Sequence, residues 1–181
     1  MTHDLIRAER PADHDAVRAL HVAAFDGDAA VSDLVDDLRH LDAAFPVVSL
    51  VAVDEKDTVK GHVMLSHAWL DTWERLLDVT VLTPLGVRPD VQGNGLGTRL
   101  IEAAMGEAER LGAPMVFLEG NDRYYGPRGF DPAVKFNIRR PSLRMPERAF
   151  QIRRLSGYSP EMTGTFVYHD VHWMHGVGLY R

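Results

Sequence analysis

The residues best placed for chemistry lie between Val91 and Thr98, VQGNGLGT, where glycines at 93, 95 and 97 separate two apolar runs. The run before them (Val79, Val81, Leu82, Leu85, Val87) reads as a strand end. The run after them recurs at helical spacing. A helix opens with backbone N–H groups that lack intrahelical acceptors and with the positive end of its dipole, so this order offers an anion several donors at once. Glycine lacks the Cβ that would hold an anion away and tolerates positive φ. Val91 to Thr98 therefore reads as a phosphate cradle. Its glycines run G-x-G-x-G with no lysine after them, which fits neither the G-x-G-x-x-G dinucleotide fingerprint nor the Walker A loop.

The surrounding elements must hold that cradle. Leu5-Ile6-Arg7 reads as an edge strand closed by Pro11. Asp13 is the expected N-cap of a first helix (Val17, Leu20, Ala24, Phe25) that Gly27 ends, and Ser32 to Leu41 forms a second. Val47 to Val53 and Val59 to Ala68 read as a hairpin, Trp69 to Glu74 as an irregular connection, and Leu77 to Val87 as a third long strand. His62 and His67 read as structural histidines, since spacing offers no third metal ligand. After the cradle, Leu96, Leu100, Ile101, Ala104, Met105 and Leu111 mark a helix capped by Gly112. Pro114 to Leu118 is apolar throughout, as in a strand buried on both faces, and a right-handed crossover joins it to the strand before the cradle. Ala149 to Leu155 and Thr163 to Tyr168 alternate like a closing pair of strands.

Gln92-Gly93-Asn94-Gly95-Leu96-Gly97, set between strand and long helix, resembles the Q/R-x-x-G-x-G/A motif of the GNAT superfamily of acyl-CoA N-acyltransferases. Tyr125-Gly126-Pro127-Arg128-Gly129-Phe130 resembles the Y-x-x-x-G-F signature that follows the buried strand in many of its members. The N-D-R-Y-Y-G-P-R-G-F form is closest to the bacterial YhbS-like branch. The resemblance runs from Leu5 to about Tyr168 and is sharpest over residues 82–130. It implies an α/β (α+β) fold in one domain spanning residues 1–181, a mixed, mostly antiparallel central sheet flanked by helices, with two strands splayed apart at the cofactor site.

The resemblance also implies acetyl-CoA as cosubstrate and no metal. Its diphosphate would lie on Gln92, Gly93, Asn94, Gly95, Leu96, Gly97 and Thr98. Its pantetheine arm would lie along the backbone of Leu85, Gly86 and Val87, where an amide can also polarise the thioester carbonyl. Tyr125 becomes the general acid: a phenol with an ordinary pKa of about 10 is protonated at neutral pH and can donate to the departing sulfur. Many members carry an asparagine six residues before that tyrosine. Glu119 stands there in this chain, and Asn121 is the nearest substitute for the pantetheine contact. The base that accepts the amine proton is left open between Asp78, Glu119 and a water chain.

Composition bounds the rest. Net charge of −6 argues against a general nucleic-acid binder. No cysteine is present, which removes disulfides, thiolate metal sites and a cysteine relay, and favours direct attack of an amine in a ternary complex. MTHDLIRAERPADHD has no basic start followed by an apolar run, and no window approaches the ~18 apolar residues of a membrane helix, so a cytoplasmic protein is expected. Six aspartates (26, 28, 33, 36, 37 and 42) crowd the early helices and would attract a cationic acceptor, a small molecule or a peptide amine. The late arginines, between residues 135 and 154, have no assigned role. A homodimer is common among GNAT relatives. The alternative to an enzyme is an acyl-CoA-binding or sensing module without a productive acceptor site.

Overall fold

A computed structural model describes residues 4–179. Nine strands form one sheet: β1 (Leu5–Ala8), β2 (Val48–Val53), β3 (Val59–Asp71), β4 (Leu76–Val87), β5 (Met115–Glu119), β6 (Asp131–Pro132), β7 (Ile138–Arg139), β8 (Phe150–Arg154) and β9 (Gly164–Val167). The main path runs β1-β2-β3-β4-β5-β8-β6, with β9 joined to β3 and β7. Pairings are antiparallel except β4 with β5 and β7 with β9. The helices are α1 (His14–Ala24), α2 (Ala30–Leu38), α3 (Leu96–Arg110) and two short ones, α4 (Asp122–Tyr125) and α5 (Asp170–Met174). This is the mixed, mostly antiparallel sheet flanked by helices that the sequence implied.

Strand periodicity sends alternate side chains to opposite layers. Leu50, Ala52, Val63, Leu65 and Leu82 face α3, which returns Leu96, Leu100, Ile101, Ala104 and Met105. Val51, Val53, Val59 and Met64 face the other way, onto Val17 and Leu20 of α1 and Leu34, Val35 and Leu38 of α2. At the far end Phe117, Phe150 and Phe166 stack within 4.6–5.4 Å of one another. Each layer thus buries one apolar stripe against the sheet, the main stabilising term of the fold.

Several sequence expectations are corrected. Asp13 stands at the N-cap position of α1 as expected but makes no side-chain cap; its carboxylate instead accepts from the Arg7 guanidinium at 2.7 Å and from the Arg10 amide. The ion pair with a largely buried arginine competes for the same lone pairs and wins. The first helix ends at Ala24, before Gly27, and the second covers Ala30–Leu38. Residues 69–71 belong to β3, where they pair with both β4 and β9. The last two long strands do not close on each other: β8 pairs with β5 and β9 with β3. Alternation fixes which face a strand buries and carries no information about its neighbour.

Candidate active site

The site opens where β4 and β5 part. They pair in parallel only at Thr80 with Val116 and Val81 with Phe117. Beyond that, β5 stays with β8 up to Glu119, while β4 stays with β3 up to Val87. Across Thr83-Pro84 the β3 register skips, Val63 facing Leu85 and Leu65 facing Leu82, so β4 carries one extra residue there. Such a bulge bends a strand and interrupts its ladder, and it is one of the few places inside a sheet where proline fits. Among the described residues, the β5-facing edge of β4 from Leu82 to Val87 is left without a strand partner.

That edge continues into the cradle. Pro89–Val91 make a short turn, and Gly93 and Gly95 adopt φ of 78° and 82°, the left-handed region that only glycine enters without strain. Gly95 is the N-cap residue of α3. Among the described residues, no backbone amide from Gly93 to Thr98 has a protein acceptor. Gln92 latches the loop to the strand, its Nε2 donating to the Val87 carbonyl at 2.9 Å, and Asn94 Nδ2 donates back to the Val91 carbonyl. A group bearing many acceptor oxygens would satisfy these donors, so the residues present fit a diphosphate.

The other wall is built by α4 and the turn after it. Asn121 opens α4 as its N-cap, its side-chain oxygen accepting from the Arg123 amide at 2.9 Å. This turns its amide toward its own helix. Tyr124 and Tyr125 follow edge to face, ring centroids 4.9 Å apart. The Tyr124 hydroxyl rests on Gly97. Arg128 lies over the Tyr124 ring at 3.7 Å, hydrogen-bonds the Tyr124 carbonyl, and reaches Thr98 Oγ1 at 2.9 Å. The side chains of residues 124 and 128 are brought together by helical spacing, since α4 runs on into a 3-10 turn over Gly126–Arg128.

These pieces enclose a cleft of about 450 Å³ bounded by Leu85 and Val87, by the cradle from Val91 to Thr98 except Asn94, and by Tyr124, Tyr125 and Arg128. Nine of the residues singled out in the sequence thus meet: Leu85, Val87, Gln92, Gly93, Gly95, Leu96, Gly97, Thr98 and Tyr125. Gly86 faces the opposite layer, under His21 of α1, while its backbone stays in the β4 edge. Asn94 and Asn121 lie outside the lining. Tyr124 and Arg128 are the additions. Their signal in the sequence was the i, i+4 spacing of an aromatic and an arginine.

Behind the cleft lies a second cavity of about 210 Å³, and the two share Leu85 and Tyr125. Phe25, Val31 and Leu34 line it from the helical pair, Leu82, Thr83 and Pro84 from the bulged strand, and Glu119 and Val177 complete it. Thr83, Glu119 and Val177 also border a third cavity of about 360 Å³. Burial pushes the Tyr125 phenol up to about 12, helped by Tyr124 and opposed by Arg128. It is therefore a protonated donor across the neutral range. Of the two carboxylates considered as bases, Glu119 lines the second and third cavities. Asp78 is seven residues along β4 from Leu85, about 23 Å at strand rise, and hydrogen-bonds His67 at 2.8 Å. Among the described residues no group of three or more His, Asp or Glu could hold a metal ion, and no helix is long and apolar enough to cross a membrane.

The sequence model of the acetyltransferase (GNAT) family matches residues 14–130. The chain belongs to this family. It is 34% identical over 125 residues to the uncharacterized N-acetyltransferase YjhQ of Escherichia coli K12; the match covers 67% of this chain and spans 66% of that relative's length. Among solved structures it is similar to the GNAT family N-acetyltransferase YhbS from Escherichia coli in complex with CoA. The TM-score is 0.83 and the identity 29%, with 94% of this chain and 92% of that one covered. A GNAT family acetyltransferase from Brucella melitensis in complex with acetyl-CoA aligns with a TM-score of 0.73 at 27% identity, covering 94% of this chain and 99% of that one.

Proposed function

We propose that this chain is an N-acetyltransferase that moves an acetyl group from acetyl-CoA to a primary amine by direct attack within a ternary complex. The observation that carries the proposal is the position of Tyr125, a protonated phenol in the wall shared by the cradle's cleft and the cavity behind it. Acetyl-CoA supplies the acyl group as a thioester. The amides of Gly93 to Thr98 hold its diphosphate, with Arg128 adding positive charge. The unpaired edge of β4 at Leu85, Gly86 and Val87 receives the pantetheine arm, and one of its amides polarises the thioester carbonyl. Glu119 accepts the proton lost by the attacking amine, and Tyr125 donates its own to the sulfur as the carbon–nitrogen bond forms and the carbon–sulfur bond breaks.

A sensing module would need only the cleft. The second cavity, meeting the cleft at Leu85 and Tyr125, gives an acceptor a place to sit and favours the enzyme. The test is Tyr125→Phe: kcat falls by about 100-fold or more, the usual contribution of a positioned acid, while calorimetric acetyl-CoA affinity stays within about twofold. An unchanged kcat would reduce Tyr125 to packing.

A further inference from the structure

The lining of the second cavity also limits the acceptor, given the acetyl-transfer reading above on which this inference rests. Apart from Thr83 and Glu119, the residues that line it with Leu85 and Tyr125 are apolar: Phe25, Val31 and Leu34 from the helical pair, Leu82 and Pro84 from β4, and Val177 from the turn after α5. Glu119 is the one carboxylate among the described residues lining it, and the same carboxylate is the one lining the adjoining cavity.

Of the six aspartates that made the early helices look like a cation trap, the three on α2 are directed elsewhere. Asp33 and Asp36 each bind Arg18 at 2.6 Å, Asp36 also binds Arg39, and Asp37 meets His175 at 2.7 Å. None of them lines either cavity. The acidic charge of α2 is spent on pinning that helix to α1 and to the C-terminal turn, and its inward face is hydrocarbon.

We infer that the acceptor is a monoamine carrying its amino group on a compact apolar body, alkyl or aralkyl, and not a polycation. Each methylene buried on this wall strengthens binding about fourfold. A second ammonium would be stranded against the hydrocarbon without a counter-charge. The same apolar setting lowers the pKa of a bound amine, which supplies the neutral nucleophile that acyl transfer requires, and Glu119 lies in that wall to take the proton.

The experiment has two stages on the full chain. Calorimetric titration with acetyl-CoA comes first. CoA release is then followed with propylamine, butylamine, hexylamine and phenethylamine, and with spermidine, an aminoglycoside and a lysine-containing peptide. The expected result is acetyl-CoA binding, kcat/KM rising severalfold per methylene along the alkyl series, and values for spermidine and the aminoglycoside at least tenfold below hexylamine. Absence of acetyl-CoA binding overturns the acetyltransferase reading and this inference together. Binding with preferred turnover of spermidine, the aminoglycoside or the peptide overturns this inference alone; binding with no turnover of any amine overturns it together with the acetyltransferase reading. Val31→Asp places an acid in the first turn of α2, where the helix dipole favours it, and inside the cavity wall. It lowers the kcat/KM ratio of hexylamine to 1,6-diaminohexane at least tenfold; an unchanged ratio means that the acceptor does not bind here and overturns the inference.

Discussion

His21 and His62 meet through a 2.8 Å hydrogen bond in the interior, directly beneath the strand that edges the cleft. The far end of the chain of contacts sets its direction. Glu9, held by Arg39, accepts from the Ser49 hydroxyl at 2.6 Å, so Ser49 must accept from His62 Nε2 at 2.8 Å. His62 Nδ1 is then the acceptor for the Nε2–H of His21. Both rings are neutral in this arrangement, and burial pulls each down to about 3; His172, hydrogen-bonded to Ser66, is pulled down to about 4.

Acid stability follows from those three rings. Their folded pKa values lie below the unfolded value of about 6.5, so between pH 6.5 and 4 the unfolded chain binds protons that the folded chain does not. Stability is complete above about pH 6.5 and falls as pH drops, by roughly 1 kcal/mol per pH unit for each ring and roughly 3 for all of them. Urea unfolding at pH 7.5, 6.0 and 5.0 measures the slope. His172→Phe reduces it by about a third, and a flat profile would contradict buried neutral rings.

Gly120 has a steric role. A Cβ at this position would run into the Tyr125 ring, and a ring wedged between Tyr124 and Phe130 has no free end to swing aside. Gly120→Ala is expected to cost about 1–3 kcal/mol in thermal or urea unfolding and to lower kcat while acetyl-CoA affinity changes little. Equal loss of affinity and rate would show that the substitution disturbs the cradle as well.

Arg128 is the cation of the cleft wall, tied to Thr98 and stacked on Tyr124. Arg128→Ala removes both the charge and the stack. Acetyl-CoA Kd is expected to rise about tenfold, the worth of one charge-assisted hydrogen bond. The difference should shrink between 50 mM and 500 mM salt as the charge is screened. A Kd that moves equally at both salt concentrations would assign Arg128 to packing alone.

The sequence by itself determined the local pieces of this protein. Glycine spacing fixed the cradle because positive φ at Gly93 and Gly95 and a helix N-terminus are properties of consecutive residues. Periods of two and 3.6 fixed which residues of β2, β3 and α3 face the core. Only the tertiary structure decided what lies across from what. The pairing of β8 with β5, the capture of Asp13 by Arg7, and the neutralisation of Asp33 and Asp36 by Arg18 join residues through the folded chain, and no local period encodes them. The one-residue bulge at Thr83-Pro84, which a proline inside a central strand could have signalled, lies just past the last β4–β5 pair, Val81 with Phe117. Backbone geometry there, and not side-chain pattern, sets the cleft, the cavity behind it and the phenol of Tyr125 between them.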